Sequence, residues 1–270
     1  MKENNSKIDK DDECVDVALW SAGIRTHYWM KQYEQLEYYN KSTFKIFYCG
    51  QRRPTPEEKA QFPENLVYIY CDMPGITPHA EIARRFAVNS NAKYVMMFND
   101  DLYCYPGVLD HLITEIESHE QEMVVGTAFR AVMEGQATKP SGDRFINLGL
   151  DRNGCLGFMC PLIKREFAEK IGGLDKRFKG SCFDGDYYLR MQSYEDVGWK
   201  TVEKAKVAED MSQQFPSLGW GERASAAYGD YDRKITKDIW AVDLCNFKGQ
   251  ALRKQENIFF EDSELEFEIG

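Results

Sequence analysis

No apolar run in this chain approaches the ~20 residues that span a bilayer. The amino terminus, Met1 to Lys7, leads into an acidic patch and lacks the apolar core of a signal peptide. A secreted or Golgi-type enzyme would normally show one or the other, so the sequence predicts a cytoplasmic location. An excess of basic charge is missing too. With 34 Lys and Arg against 44 Asp and Glu, the formal net charge is −10. Nucleic acid and anionic membranes reward basic patches, so neither is expected as the main partner. One anionic small ligand stays compatible with this balance, above all where a metal ion supplies positive charge.

The eight cysteines contain no C-x-x-C pair, and several lie in apolar segments. Buried reduced thiols are therefore expected, rather than disulfides or a zinc site. The four histidines make no site: His111 and His119 fall on or near one helix, and His27 and His79 are isolated. H-E-x-x-H, G-x-S-x-G and G-x-x-x-x-G-K-S/T are all absent, which removes the chemistries those patterns carry.

What is present is enough chain for one large α/β domain or two small ones: 270 residues, 43% hydrophobic and 29% charged. Val15, Val17 and Leu19 alternate along a first strand. A helix with Trp29, Tyr33 and Leu36 on one face follows, then strands at Phe44–Tyr48 and Leu66–Tyr70. Asp72 to Gly75 is a turn, and Ile82, Ala83 and Phe86 mark another amphipathic helix. A strand from Tyr94 to Phe98 comes next, and Pro106 is expected to open a helix with a Val108, Leu109, Leu112, Ile116 stripe. This alternation implies a largely parallel sheet with right-handed crossovers. The order then loosens, with a strand at Met123–Gly126, loop from Ala131 to Arg152 and a short helix from Glu166 to Ile171. Residues 1–13 read as disordered, 14–250 as a single domain and 251–270 as an acidic, loosely held tail. The Gly-, Ser- and Ala-rich stretch Pro216 to Ala227 reads as a mobile loop.

The most informative stretch is the apolar run Tyr94 to Phe98, which stops at Asn99-Asp100-Asp101. Charges next to a core are costly unless something compensates them. In open α/β sheets, ligands bind beyond the carboxyl ends of the strands. Two acids there suit a divalent cation that in turn holds a phosphate-bearing substrate. The alternative is a pair of acids capping the helix near Pro106. A second acidic motif is Phe183-Asp184-Gly185-Asp186, after Gly172-Gly173-Leu174-Asp175. It suits a general base better than its alternative, a helix N-cap. A third, Val207-Ala208-Glu209-Asp210, offers a further oxygen ligand or a solvated acidic loop.

From residue 14 to 215 the order of these parts resembles a nucleotide-sugar glycosyltransferase of the GT-A fold, most like the inverting family 2. The resemblance implies an α/β, Rossmann-like domain whose mostly parallel central sheet is flanked by helices. It implies a nucleotide-diphosphate sugar donor, most often a UDP-sugar, a saccharide or other hydroxyl acceptor, and Mn²⁺ or Mg²⁺ as cofactor. Asp101 matches the family's metal position and Asp100 the one nearer the ribose, with Asn99 where the family often has its first Asp. Asp184 matches the catalytic base and Asp186 the second acid, with Phe183 in place of the usual Glu. Glu209 stands where the family often has a metal-binding His, and Asp210 is an equal candidate. Ser21, Ala22, Gly23 and Arg25 follow the first strand where the family cradles the nucleoside, although family 2 more typically reads Pro-Thr-Tyr-Asn there. Asp72 and Arg84 fall in the matching loop and helix, though for Arg84 and Arg85 a solvated helix face is the stronger reading. The acceptor is expected near Leu148 to Met159 and after Phe215, with Trp220 a candidate for stacking on a sugar. Two alternatives stay open: a sugar-phosphate nucleotidyltransferase, and a non-catalytic domain of the same fold that binds a nucleotide sugar.

Overall fold

The structure, a computed structural model, describes residues 14–23, 26–132, 146–147, 159–180, 182–210, 220–240 and 258–269. The readings made for residues 1–13, for Arg25 and for the acceptor segment 148–158 lie outside these residues.

The first half alternates as expected: β1 (Val17–Ala22), α1 (Thr26–Tyr39), β2 (Phe44–Gly50), α2 (Pro56–Lys59), β3 (Leu66–Tyr70), α3 (Thr77–Asn89) and β4 (Tyr94–Met97). There follow β5 (Leu102–Cys104), α4 (Val108–Glu117), β6 (Glu122–Val132), β7 (Ile146–Asn147), β8 (Met159–Lys164) and α5 (Arg165–Ile171). The last are α6 (Phe183–Gln192), β9 (Val197–Asp210), α7 (Trp220–Trp240) and β10 (Glu268–Ile269). One sheet runs in the order β10-β3-β2-β1-β4-β8-β6-β9-β5, with β7 beside β6. The block β3-β2-β1-β4 is parallel. Beyond β4 the pairings turn antiparallel, except for β6 with β9.

Strand alternation sorts the core into two layers. Ala18, Trp20, Phe47, Cys49, Val95 and Met97 face α3, α5 and α6. Val17, Leu19, Ile46, Tyr48, Tyr94 and Met96 face α1 and α4. The chain adds β2 and β3 on one side of β1, then crosses back through α3 to lay β4 on the other. That reversal is a topological switch point, and the crevice it opens lies at the carboxyl ends of β1 and β4. It is there that Gly23 and Asp100 sit.

Three expectations are corrected. Pro106 does not open α4, because Gly107 at φ +74 precedes Val108 and turns the chain in. Residues 220–227 belong to α7 rather than to a loop, since Ala224, Ala226 and Ala227 favour helix over coil. The acidic tail is docked over 258–269: β10 pairs with β3 and Lys176 binds Glu264 at 2.8 Å. Arg53 donates to Glu268 at 3.0 Å, and Phe267 packs edge-on against Phe86 at 5.5 Å. Its acids are matched by bases on the body, which a linear reading of charge does not reveal.

β1 and β2 approach most closely at their carboxyl ends. A Cβ built on Gly50 would stand 2.1 Å from the Gly23 carbonyl oxygen, and one on Gly23 would stand 2.4 Å from the Trp29 ring. Gly50→Ala is therefore expected to cost about 1–3 kcal/mol, the usual penalty for forcing atoms into filled space. A melting midpoint equal to that of the unmodified protein would show that the strands part freely here.

Candidate active site

The acidic run after β4 is held from beneath by one helix. On α1, Trp29, Gln32 and Leu36 fall on the same face at helical spacing, and all three are buried. Gln32 donates to the carbonyl oxygens of Asn99 and Leu102, both at 2.9 Å. Its side-chain oxygen accepts from the Tyr48 hydroxyl at 2.8 Å. Gln35 accepts from the Cys104 amide at 2.7 Å. The Trp29 indole stacks on Tyr48 at 4.5 Å and points its N–H at Asp100 Oδ2, 3.5 Å away. A fully buried amide with both its N–H groups and its oxygen engaged is a rigid clamp. Gln32 was missed from sequence. The signal was present, a glutamine set into an otherwise apolar stripe.

Asp100 and Asp101 are each 2% exposed. Neither caps α4, because β5 separates them from a helix whose N-cap has no side-chain hydrogen bond. The capping alternative is thereby removed. The β5–β9 register sets Glu209 opposite Leu102, so Glu209 and Asp210 run past the end of the Asp100-Asp101 turn. No cluster of three metal-ligating side chains occurs among the described residues. Mg²⁺ and related ions need no such cage, since one or two carboxylates together with substrate phosphates and water suffice. Asp100 and Asp101 themselves offer carboxylate oxygens, the donor type that suits a hard cation.

Asp184 lies in the first turn of α6, following Cys182, whose backbone adopts φ +60. A non-glycine residue in that region costs about 1–3 kcal/mol and persists where its surroundings over-determine it, often at functional sites. The N-cap alternative fails here too, because Cys182 holds that position. Asp184 Oδ1 instead accepts from the Gly185 amide at 2.8 Å. Its side chain is open to solvent, yet protein surrounds it closely enough that burial pushes its carboxyl above the usual aspartate value. Water therefore reaches it on one side while protein crowds the other. The backbone N–H groups at the helix start oppose the rise without cancelling it. The Tyr188 phenol is raised well above its usual value by burial and then by the charge of Asp184.

Helix α6 is seated at the same end of the sheet as the acidic turn. Tyr187 meets Trp20 of β1 edge-on at 6.1 Å. Tyr188 also feels Cys160, two residues before Leu162, which pairs with Met96 of β4. Asp186, by contrast, is 1% exposed and bonds Arg190 at 3.0 Å, and Arg190 donates on to the Ile171 carbonyl at 3.0 Å. It faces inward, away from the cleft.

Of the residues matched to nucleotide binding, Ser21 is buried and turns its hydroxyl to the Ala22 carbonyl at 3.1 Å, while Ala22 is half-buried. Gly23 is where β1 crowds Trp29 and β2. Asp72 is exposed just past the carboxyl end of β3. Ser21, Ala22 and Gly23 stand at the carboxyl end of β1, and Asp72 at that of β3. Arg84 lies instead on α3 and is buried, with Nε and Nη2 on Glu81 at 2.8 and 3.0 Å. Glu81 also accepts from Arg85 and from the Leu174 amide, each at 2.8 Å. The Gly172-Gly173-Leu174 turn thus rests on a buried ionic hub, and a Cβ on Gly173 would stand 2.8 Å from Glu81.

No family model matches the chain, and no curated protein matches it. Solved structures do. Residues 1–349 of S. aureus TarS, a family 2 glycosyltransferase, superpose with a TM-score of 0.55 at 12% identity, over 74% of this chain and 61% of that one. A longer TarS structure gives a TM-score of 0.53 at 12% identity, over 74% of this chain and 37% of that one. The chain therefore spans under two thirds of the structures it resembles. The likeness establishes a GT-A-like glycosyltransferase fold: α/β, with a large central sheet flanked by helices.

Proposed function

We propose that the protein is a glycosyltransferase that moves a sugar from a nucleotide-diphosphate sugar, most simply a UDP-sugar, to an acceptor hydroxyl with inversion. What supports this reading is that two acidic elements lie toward the same end of the sheet. One is the Asp100-Asp101 turn, buried and clamped by Gln32. The other is Asp184, open to solvent on a separately anchored helix with a raised carboxyl pKa.

In this reading the crevice formed by Ser21, Ala22, Gly23 and Asp72 receives the nucleotide, and Asp100 helps to orient it. Asp101, with Glu209 in register beside it, would hold Mn²⁺ or Mg²⁺, which would offset the charge gathering on the departing diphosphate. Asp184 accepts the proton of the acceptor hydroxyl as that oxygen bonds to the anomeric carbon and the bond to the diphosphate breaks. A base must be deprotonated to act but basic enough to take the proton, and a raised aspartate serves both needs. Asp186 supports the base-bearing helix through Arg190 and takes no part in proton transfer. Arg84 supports the Gly172-Gly173 turn and leaves donor binding to the crevice residues.

The test is thermal shift against nucleoside diphosphates and nucleotide sugars, in Mn²⁺, Mg²⁺ or EDTA. A ligand at 100 times its dissociation constant stabilises by about 2.7 kcal/mol, a shift of several degrees for a domain of this size. A metal-dependent shift with one nucleobase, lost in Asp101→Ala, is the expected outcome. An enzyme should also release nucleoside diphosphate slowly without acceptor. Binding with no release under any condition would favour a binding module, and no shift with any nucleotide would sink the reading.

A further inference from the structure

Three residues from α7 reach the segment that leads into α6. The Asp232 carboxylate, fully buried, accepts from the Lys179 amide at 2.9 Å and from the Gly180 amide at 2.8 Å, one oxygen to each. Thr236 braces the same turn of helix by donating to the Asp232 carbonyl at 3.0 Å. Ile235 and Ile239 pack with Phe178, Leu189, Cys182 and Phe183. From the other side, the Lys179 carbonyl accepts the Ile76 amide at 2.6 Å and the Thr77 amide at 3.4 Å. Gly75, at φ +92, has room for no side chain there, since a Cβ would stand 2.5 Å from that carbonyl. The Lys179–Gly180 turn is thus gripped between α7 and the loop Asp72–Ile76, which borders the nucleotide crevice. Cys182 in its left-handed conformation and then Asp184 come directly after.

We propose that Asp232 is a positioning residue: by clamping the Lys179–Gly180 turn it fixes the start of α6, and with it the place of Asp184 relative to the donor crevice. This rests on the glycosyltransferase reading for its catalytic consequence. The choice of residue supports it. Two neighbouring amides need two acceptors, and a carboxylate supplies both, whereas the amide of Asn presents one oxygen and one N–H. A buried carboxylate is otherwise costly to keep. The strained backbone at Cys182 also requires that the chain on its amino side be held. An error of about 1 Å in a reacting group is enough to cost roughly 100-fold in rate.

The experiment compares the full chain with Asp232→Asn and with Leu66→Ala, a core truncation at the amino end of β3, remote from the crevice. All are assayed below their melting midpoints for donor affinity, turnover and, by NMR, the titration of the Asp184 carboxyl, whose titratable neighbour on α6 is Tyr188. Asp232→Asn is expected to keep donor affinity within about twofold, lower kcat about 100-fold and move the Asp184 midpoint downward as the carboxyl loses its burial. Leu66→Ala should lower the melting midpoint without either change. Unaltered kcat in Asp232→Asn, or an equal loss in Leu66→Ala, overturns the proposal. If the unmodified protein cleaves no donor, the glycosyltransferase reading has failed on its own, and the Asp184 titration alone decides: a shift in Asp232→Asn upholds the clamp and an unchanged midpoint overturns it.

Discussion

Asp184→Asn is expected to lower sugar transfer by about two to four orders of magnitude, the range supplied by a positioned general base, while donor affinity stays close to normal. Asn keeps the shape and the hydrogen bond to the Gly185 amide but cannot take a proton. The pH dependence follows from the raised carboxyl. Turnover of the unmodified protein should rise with pH along a limb centred above the ordinary aspartate value, and residual activity of Asp184→Asn should lack that limb. Stability moves the other way. A carboxyl pKa raised by folding favours the folded state at low pH, below the unfolded value, and that contribution is lost as pH rises through the folded value. At neutral pH the charge of Asp184 therefore works against the fold, and Asp184→Asn should melt no lower than the unmodified protein, or slightly higher. Near-normal turnover in this variant would end the base assignment. A drop in melting midpoint would show that Asp184 serves the fold instead.

Glu81→Ala should have the largest effect on stability. Glu81 is fully buried and accepts from Arg84, Arg85 and the Leu174 amide. Burial alone would raise its carboxyl, but the two guanidiniums outweigh that and hold it below the usual glutamate value. Removing it leaves the buried Arg84 without its partner, which typically costs 3–5 kcal/mol, on the order of 10 °C in melting midpoint for a chain of this length. A folded-state pKa below the unfolded one means that Glu81 stabilises above the ordinary glutamate value. That stability is lost as pH falls through the lowered value, so Glu81→Ala should flatten part of the acid limb of a stability–pH curve. The double replacement Glu81→Leu with Arg84→Leu should recover much of the loss, because an apolar pair of similar volume has no stranded charge. A midpoint within about 2 °C of normal for Glu81→Ala would mean that the hub is dispensable.

These two residues also mark where sequence reading succeeds and where it stops. The β3-β2-β1-β4 half is legible because each strand is a short apolar run between helical stripes, and Asp100-Asp101 is legible because acids ending such a run are unusual. Asp184 was singled out from its motif, although its raised carboxyl depends on packing that no local pattern encodes. Arg84 and Arg85 read as a solvated face since neighbouring charges on a helix normally are one, and Glu81 drew no reading at all. The Gly172–Leu174 turn and Tyr187, about a hundred residues away, and Phe260 and Asp262 farther still, supply their partners. Strand β5 escaped notice for the same reason, because its stability comes from pairing with β9 across a hundred residues rather than from its own composition. Gln32 lies between these cases, visible as a break in an apolar stripe but not as a clamp.

The pairing of β10 with β3 has a consequence in time. Glu268 lies opposite Tyr70, so the strand that seals this edge is made long after the edge itself. At 5–20 residues per second, β3 waits on the order of 10–40 s during synthesis with its outer N–H and C=O groups free to pair with another chain. An unpaired edge is the part of a sheet most prone to join a stranger. The vulnerable species is thus the nascent chain that has made β3 but not yet residues 258–269. Slower translation there, or early termination near residue 257, should show up as aggregation before any loss of activity is felt.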